Sequence, residues 1–157
     1  MNYNGHAYVP IRFIGESLGL GVRYIDRDNV ISIMNQPTNV DEVTKKAWLI
    51  QYRLNVGNDQ KYVKELLGQP VAERTNDDMQ KAGWRYDISP SSDYHYDGLN
   101  IDLKGLEQGK VGAQLIVNWT NESKVDKIEL WYKDTKSGKI VTYYVYSDGS
   151  TAGAIYE

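Results

Sequence analysis

Residues 111–149 constrain the fold more than any other part of the sequence. They form three runs rich in β-branched and aromatic residues, separated by turn-forming residues at 121–123 and 136–138. This pattern predicts a three-stranded antiparallel meander. Because alternate residues of a strand point to opposite faces, the apolar residues of the three runs define one predicted core face. That face consists of Ala113, Leu115, Val117, Trp119, Ile128, Leu130, Tyr132, Val141, Tyr143 and Val145.

The opposite, outer face of this sheet is mostly polar, as expected for a face in contact with water. Four large apolar or aromatic residues interrupt it: Ile116, Trp131, Tyr144 and Tyr146. A solvated sheet face rarely carries a Trp and two Tyr, so these residues indicate either a cover made by the chain's own helices or a surface that binds a ligand. We regard the four residues as a candidate binding face, and the sequence leaves the ligand open.

Length and charge exclude several classes of function. The chain of 157 residues suffices for one domain, or for one domain and a fragment of another. Its 18 basic and 21 acidic residues are interspersed and leave a formal net charge of −3, so we expect no binding to nucleic acid or to an anionic membrane. No apolar run approaches the roughly 20 residues of a membrane-spanning helix, and the amino terminus lacks the basic-then-apolar pattern of a signal peptide.

The residues that usually carry catalysis or bind metals are sparse. The lack of cysteine excludes disulfides and thiolate chemistry, and the only histidines, His6 and His95, lie about ninety positions apart with no metal-binding spacing. Four aspartates surround one turn-rich segment, but their spacing matches no calcium loop and aspartate is an ordinary turn former. We therefore predict no catalytic residue, no metal site and no cofactor. The four aspartates are Asp87, Asp93, Asp97 and Asp102.

The amino-terminal region is predicted to form a helix followed by a β-hairpin. Pro10 suits the first turn of a helix, and Gly19 suits a left-handed helix end. The runs at 22–25 and 30–33 flank a four-residue polar loop, which is typical of two paired strands. The apolar face of the predicted helix consists of Ile11, Phe13, Ile14 and Leu18.

The first 34 residues carry a motif made of Val9-Pro10-Ile11-Arg12, Glu16, Leu18-Gly19, Val22, Tyr24, Asp26 and 30–33. With these residues the segment resembles the second half of the copper amine oxidase amino-terminal-like, or stalk, domain of exported Gram-positive proteins. The resemblance implies a structural accessory that holds no copper, in a protein that is extracellular or associated with the cell wall. The amine oxidase reaction itself would require three copper-binding histidines, and the chain has two.

The strands that precede this motif in the family are missing from the sequence. About 35 residues cannot bury a self-sufficient core without disulfides or a metal. We therefore expect the segment either to pack on the following domain or to be completed by a second copy of the chain. In the second case the run 30–33 is the candidate edge strand of a homo-oligomer.

Residues 37–149 are predicted to form helices and a sheet. A helix is expected at 40–54, where apolar residues recur at helical spacing, and a second at 59–68, opened by an aspartate and closed by a glycine. Alternation predicts strands at 84–88 and 99–103. The remaining expectations are a loop at 106–112 and a disordered tail at 150–157.

Two short motifs, Leu67-Gly68-Gln69-Pro70 and Trp84-Arg85-Tyr86, accompany this pattern. With them, residues 54–149 are similar to the small outer-membrane-assembly lipoproteins and to the β-lactamase-inhibitor-protein repeat. The resemblance implies a helix pair packed across one face of an antiparallel sheet. Scaffolds of this kind bind unrelated partners, so the resemblance implies no single activity.

We therefore predict an α+β protein in which a helix pair packs on an antiparallel meander, preceded by a short helix and a hairpin. The expected divisions are 1–36 for the partial stalk-type segment, 37–54 for a connecting helix, 55–149 for the helix-on-sheet module and 150–157 for the tail.

The favoured function is a non-catalytic structural or binding role in the cell envelope, with an envelope protein, a cell-wall polymer or a second copy of the chain as partner. One alternative is an inhibitor of an extracellular enzyme, by analogy with the β-lactamase-inhibitor scaffold. Another is a hydrolase that uses carboxylates such as Asp87 and Asp97, which would have to converge about 5 to 9 Å apart.

Overall fold

The computed structural model describes residues 2–3, 6–7, 9–25, 29–75 and 81–156, and it has an α+β fold with antiparallel sheets. Among the described helices, none is long and apolar enough to cross a membrane. The elements in chain order are β1 (Asn2–Tyr3), β2 (His6–Ala7), α1 (Ile11–Ser17), β3 (Leu20–Ile25), β4 (Val30–Asn35), α2 (Glu42–Arg53), α3 (Gln60–Leu67), β5 (Ala72–Arg74), β6 (Gly83–Pro90), α4 (Leu103–Glu107), β7 (Val111–Trp119), β8 (Val125–Lys133), β9 (Ile140–Val145) and β10 (Thr151–Tyr156).

Six strands form one antiparallel sheet in the order β10-β9-β8-β7-β6-β5, so each strand pairs with its neighbours along the chain. The predicted three-stranded meander is confirmed as β7, β8 and β9. The strand predicted at 84–88 is confirmed as β6, which pairs with β7. The sheet is therefore a single six-stranded meander, and its inner strands include β7 and β8, where the alternation of the sequence is clearest.

The tail forms a strand, which corrects the expectation of disorder. Residues 151–156 make up β10 and pair with β9 along its whole length. In the turn between the two strands, the Tyr146 N–H donates to the Ser150 carbonyl at 2.9 Å, and the Asp148 carboxylate accepts from the Ser150 N–H at 2.9 Å. Gly149 occupies the turn with φ of +84°, a conformation that glycine adopts without strain. Asp-Gly is a hairpin signal, and the small polar composition of the tail obscured it.

The two long helices begin at aspartate caps. Asp41 accepts from the Thr44 N–H and Asp59 accepts from the Tyr62 N–H, both at 2.9 Å. α3 ends at Gly68, whose φ of +89° belongs to the left-handed region. Both predicted helices are confirmed, although α2 starts at residue 42 and not at 40.

The core lies between these two helices and one face of the sheet. The predicted core face is confirmed, since all of its members except Tyr132 and Val141 are buried in one apolar cluster and Tyr132 packs against that cluster. Val141 is half-buried. From the helices, the cluster receives Val43, Ala47, Ile50, Leu54 and Val63.

The outer face of the sheet is covered in part by the segment 91–110 and not by the helix pair. This segment contains α4, whose first turn is capped by Asp102 accepting from the Gly105 N–H at 3.0 Å. The expected strand at 99–103 and loop at 106–112 are wrong, because α4 occupies 103–107 and β7 already begins at 111. Alternation over five residues does not distinguish a strand from a helix cap followed by one turn. A second, smaller cluster under this segment contains Leu106, Val111 and Ile140.

Residues 9–35 form what we call the N-terminal unit, in which α1 packs on the hairpin of β3 and β4. The predicted helix and hairpin are confirmed, while loop residues 26–28 lie outside the described residues. The unit contacts α2 through β3. One of the two expectations for this region, packing on the following domain, therefore applies to the β3 side of the unit.

Candidate binding surface

The β3–β4 hairpin turns one face toward α2 and the other toward α1. Residues directly opposite each other in an antiparallel pair share a face, so the pairing register assigns every side chain. The face toward α2 carries Gly21, Arg23, Ile25, Val30, Ser32 and Met34. The face toward α1 carries Leu20, Val22, Tyr24, Ile31, Ile33 and Asn35.

Close contacts hold the first of these faces against α2. A Cβ at Gly21 would lie 2.6 Å from Cγ of Tyr52 and 2.7 Å from Cζ2 of Trp48, so only glycine allows the backbone this close. The Arg23 guanidinium lies over the Tyr52 ring, 5.2 Å from its centroid. Ser32 Oγ lies 3.2 Å from the Tyr52 hydroxyl oxygen. The N-terminal unit is thus attached by one helix of the core.

α1 covers only the start of β3 on the second face. Gly15 packs directly on the Val22 side chain, and Val22 is only 2% exposed. On β4, by contrast, Ile31 and Ile33 are 48% and 46% exposed. The helix therefore covers Val22 and leaves Tyr24 of β3, together with Ile31 and Ile33 of β4, exposed.

The two flanks of α1 face different surroundings. Arg12 lines a small cavity of 160 Å³ together with Arg23 and Tyr143, so its flank is turned toward the main sheet. Residues three and four apart along a helix share a side, which separates this flank from a second, apolar one. The apolar flank consists of Ile11, Ile14 and Leu18, which are exposed and lie on the other side of α1 from Arg12.

The N-terminal unit therefore presents ten exposed, large apolar side chains, which we call the apolar surface. Each member is 45–69% exposed. They lie on α1, just before it and on both faces of the hairpin, with Val30 and Met34 on the face toward α2, and their combined exposed area is on the order of 900 Å². The members are Val9, Ile11, Phe13, Ile14, Leu18, Tyr24, Val30, Ile31, Ile33 and Met34.

β4 is also an open sheet edge. Within the described part of the chain, β3 is the only strand that pairs with it. The six residues of β4 include no charged residue and no proline, the usual means by which an edge strand is kept from pairing. β5, at one edge of the main sheet, has only three residues and carries Glu73 and Arg74. The apolar edge of the N-terminal unit is thus free of the protection that β5 has.

The four site residues predicted on the outer sheet face differ in accessibility. Ile116 is only 6% exposed and offers almost no accessible surface. Trp131 and Tyr144 are half-buried, and Tyr146 is 44% exposed. Trp131 lies against Tyr156 of β10, with ring centroids 5.4 Å apart.

This face carries three tyrosines, Tyr144, Tyr146 and Tyr156, which we call the tyrosine strip; Tyr156 lies opposite Ile140 and beside Trp131. The rings of Tyr144 and Tyr146 are nearly parallel, with an angle of 13° and a centroid distance of 6.3 Å. Burial raises the pKa of Tyr144. The Trp131 Nε1–H donates to Glu129 at 2.8 Å, which fixes the indole beside the strip.

A buried ion pair lies elsewhere on the outer face. Nη2 of Arg85 is 3.1 Å from Oδ2 of Asp87, and the two side chains are only 3% and 6% exposed. Arg85 also donates to the carbonyl oxygens of Tyr96, at 2.6 Å, and of Gly98. Asp87 accepts a further bond from the Gln114 amide at 2.8 Å. The guanidinium therefore ties the segment 91–110 to β6.

Gln114 extends this network toward α4. Its Oε1 accepts from the Asp102 N–H at 2.6 Å, and its Nε2 also donates to the Tyr94 hydroxyl at 3.0 Å. That hydroxyl donates to Asp102 at 3.2 Å. Burial, together with the nearby carboxylates of Asp87 and Asp102, raises the pKa of Tyr94, so its hydroxyl stays protonated as a donor. The network stabilises the covering segment.

The four aspartates singled out around the turn-rich segment make local contacts within the protein. Asp87 belongs to the buried network and Asp102 caps α4. On the surface, Asp93 pairs with Lys110, and hydrogen bonds from Lys110 and Ser91 lower the pKa of Asp93 to about 2. Asp97 lies 2.9 Å from His95. Within the described ranges, no group of three His, Cys, Asp or Glu residues could hold a metal ion.

A cleft of 420 Å³ lies beside the network, between β5 and the segment 91–97. Both Asp87 and Asp97, the carboxylates of the hydrolase alternative, line it. However, the Asp87 carboxylate already accepts bonds from Arg85 and Gln114, one at each oxygen. Both Asp87 oxygens thus take part in the network that fixes the segment 91–110.

No family model, no curated protein and no solved structure matches this chain. The two resemblances drawn from short motifs stay predictions.

Sequence reasoning missed two functional features of the structure. It assigned Gln114 to a solvated face, although the side chain is fully buried under the segment 91–110. The available signal was the length of that segment, since a connection of about 20 residues usually folds back on the domain or has a role of its own. It named 30–33 as a candidate edge strand but did not consider that both sides of the strand are apolar. Both alternating sets of Val30-Ile31-Ser32-Ile33-Met34 contain large apolar residues, which indicates a strand that needs a cover on each side.

Proposed function

We propose that this chain is a non-catalytic, exported protein of the cell envelope that binds another protein chain through the apolar surface of its N-terminal unit. The observation that carries the proposal is the exposure of ten large apolar side chains, each at least 45% exposed, on a unit of fewer than thirty residues. Exposed apolar patches of this extent in soluble domains mark sites of association.

The size of the surface supports a specific interface. A stable protein–protein interface takes about 800 Å² from each partner, and the apolar surface offers on the order of 900 Å². Its open edge strand adds a row of backbone donors and acceptors to the apolar side chains. A partner that supplies a strand would satisfy both requirements.

The polar groups of the chain support a structural rather than a catalytic use. Asp87 and Asp102 are the buried or half-buried members of the aspartate cluster, and both are engaged in hydrogen bonds that fix the segment 91–110. Arg85 is bonded to Asp87 and to two backbone carbonyls. These bonds tie α4 and β6 together and leave the apolar surface as the largest feature without an internal partner.

The envelope setting rests on the resemblance of residues 9–33 to the stalk-type domain of exported proteins. That domain type is a structural accessory, which agrees with a unit that contributes a docking surface. The structure gives the unit a helix, a hairpin and an attachment to α2.

The tyrosine strip favours a second candidate function, the recognition of a cell-wall polymer. Tyr146 and Tyr156 are 44% and 42% exposed. Tyrosine rings combine an apolar face with a hydroxyl that bonds to polar groups, which suits a polyhydroxylated ligand. A flat, open strip suits an extended polymer better than a small molecule, which usually requires a concave pocket.

Photo-cross-linking tests the proposed function. Phe13 is 68% exposed within the apolar surface and is replaced by the photoreactive p-benzoylphenylalanine. We expect irradiation of this variant in an envelope extract to yield a discrete cross-linked product, whose partner is identified by mass spectrometry. The product should be absent when the photo-probe variant also carries Ile33→Lys. The control places the same residue at Lys61, whose side chain is 85% exposed on α3. A cross-linking pattern that is the same at both positions would refute the proposal.

A further inference from the structure

We infer that the partner bound by the apolar surface is a second copy of this chain, paired through β4 in an antiparallel arrangement with a two-fold axis at Ser32. This inference rests on the proposed function and specifies its partner. The two hairpins would form one four-stranded sheet with the order β3-β4-β4-β3 across the axis.

Symmetry restricts how β4 can pair with itself. In a two-fold dimer, each contact between a residue of one copy and a residue of the other occurs twice. Residues directly opposite each other share a face of the sheet, and the axis keeps that face the same in both copies. The sequence numbers of two opposite residues must therefore differ by an even number. It follows that one residue of β4 lies at the axis and faces the same residue of the other copy.

Side-chain chemistry then selects the residue at the axis. With the axis at Ser32, Ile31 faces Ile33 of the partner, Val30 faces Met34, and Ser32 faces its own copy. With the axis at Ile33, a polar Asn35 would face Ile31 and Ser32 would face Met34. Only the first register pairs apolar residues with apolar residues and polar with polar, which is the arrangement that stabilises paired strands.

The same register completes the cover over β4. Each α1 lies on its own β3 and leaves Ile31 and Ile33 uncovered. In the dimer, Ile31 and Ile33 of both copies would form one row between the two helices. The apolar flanks of the helices, which carry Ile11, Ile14 and Leu18, border this row on both sides. The groove left open by one copy is thus closed by the other.

Area and charge agree with a stable homodimer. Each copy offers on the order of 900 Å² of exposed apolar area over α1 and both faces of the hairpin, compared with about 800 Å² per partner in a dimer of standard size. The six residues of β4 carry no charge, so no like charges meet across the axis. The charged residues of α1, Arg12 and Glu16, lie 3.8 Å apart and pair within one copy.

Disulfide trapping tests the register. The chain has no cysteine, so Ser32→Cys introduces a single thiol. Opposite Cα atoms in antiparallel strands are about 4.5–5.5 Å apart, within the roughly 4.4–6.8 Å that a disulfide accepts. We expect mild oxidation to produce a disulfide-linked dimer rapidly. The matched control Asn35→Cys lies on the same strand but not at the axis and should cross-link much more slowly. Faster cross-linking of Asn35→Cys, or of Ala154→Cys on β10, would overturn the register.

Charge pairing provides a second test that does not involve Ser32, which contacts Tyr52. Ile31→Lys and Ile33→Glu each place a charge on an exposed position, so each variant should fold and sediment as a monomer. In a mixture of the two variants, Lys at 31 faces Glu at 33 while the remaining Ile33 and Ile31 face each other. We expect the mixture to form dimers again. Monomers in the mixture, together with a wild-type dimer, would overturn the register.

Different results would refute the homodimer and the proposed binding function. Sedimentation of the wild-type chain as a monomer at about 100 µM would overturn the homodimer, since self-association through a standard interface is complete at such a concentration. If the Phe13 photo-probe then labels a different protein and Ile33→Lys abolishes the labelling, the proposed function stands with another partner. If the probe labels neither another protein nor a second copy of the chain, the proposed function and the homodimer are both refuted.

Discussion

The backbone of Gly21 lies against the Tyr52 ring so closely that a Cβ at residue 21 would be 2.6 Å from Cγ of that ring. Real Cβ atoms do not approach other heavy atoms to this distance, so the contact exists only because residue 21 has no side chain. It joins β3 to α2 and sets the orientation of the apolar surface relative to the core. The close approach of β3 to α2 thus depends on this glycine, and Arg23 and Ser32 add contacts with the same ring.

Gly21→Ala should weaken this attachment. The added methyl group would displace Tyr52 or Trp48, and overpacking of this kind costs about 1–3 kcal/mol. We expect a lower midpoint of urea unfolding and faster proteolysis in the linker 36–40, because the unit separates from α2 more often. Thr38→Ala, at an exposed position of that linker, is the control and should leave both measurements unchanged. An unchanged urea midpoint and proteolysis rate for Gly21→Ala would contradict the role assigned to this contact.

The division of the sheet into two faces could be predicted from the sequence, because the strands are long and their alternation is regular. Leu130 lies in the main core and its neighbour Trp131 lies beside the smaller cluster, as the period of two requires. The helix ends could also be predicted, since Asp41, Asp59 and Gly68 have side chains or conformations suited to caps. The strand faces and the helix ends depend on residues that are close in sequence, so the sequence alone is enough to predict them.

The buried ion pair gives a prediction that separates a structural pair from a catalytic group. Arg85→Met leaves the Asp87 carboxylate buried without its cation, which should destabilise the fold by about 3–5 kcal/mol. The double variant Arg85→Met with Asp87→Leu removes both charges and should recover much of that loss. Urea unfolding of the two variants and of the wild type measures the difference. A double variant that is less stable than Arg85→Met would show that the pair has another role.

Acidic pH should destabilise the protein through its aspartates. The pKa of Asp126 is lowered mainly by the hydrogen bond from Lys81 Nζ at 2.9 Å. The pKa of Asp41 is lowered mainly by the bond from the Thr44 N–H. Because these pKa values are lower in the folded than in the unfolded state, the unfolded state binds more protons as the pH falls below about 4. The stabilisation is complete above that pH and is lost as the pH falls through the folded-state values.

Urea midpoints at pH 7, 5 and 3 measure this effect. We expect little change between pH 7 and 5 and a marked decrease at pH 3. Lys81→Met should reduce the decrease, since it removes the main cause of the Asp126 shift, and at pH 7 it should cost at most about 1 kcal/mol because Lys81 is itself largely exposed. Lys61→Met, which removes an exposed pair with Glu65 and the smallest of the contributions that lower the pKa of Asp59, is the matched control. A midpoint that is independent of pH would contradict the assignment.

The cover of the outer face could not be predicted, because it depends on contacts between distant parts of the chain. Gln114 has the polarity of a surface residue, yet its amide is matched to Asp87 and Tyr94, 27 and 20 positions away. Nothing local distinguishes such a glutamine from a solvated one. In the same way, the sequence placed Ile116 and Tyr146 on one face but did not reveal that the first is buried and the second exposed. Periodicity assigns a face, and tertiary packing decides what covers it.

The tyrosine strip predicts how a cell-wall polymer would be bound if the second candidate function holds. Tyr146→Ser removes an exposed ring without disturbing the core, and the loss of one aromatic contact of about 1 kcal/mol should weaken co-sedimentation with insoluble peptidoglycan by about five-fold. Ile33→Lys, on the apolar surface, should leave this co-sedimentation unchanged, because the two surfaces belong to different sheets. Equal effects of the two substitutions would point to non-specific adsorption. Binding of the wild type no stronger than that of Tyr146→Ser would remove the strip as a polymer site and leave the apolar surface as the recognition surface of the chain.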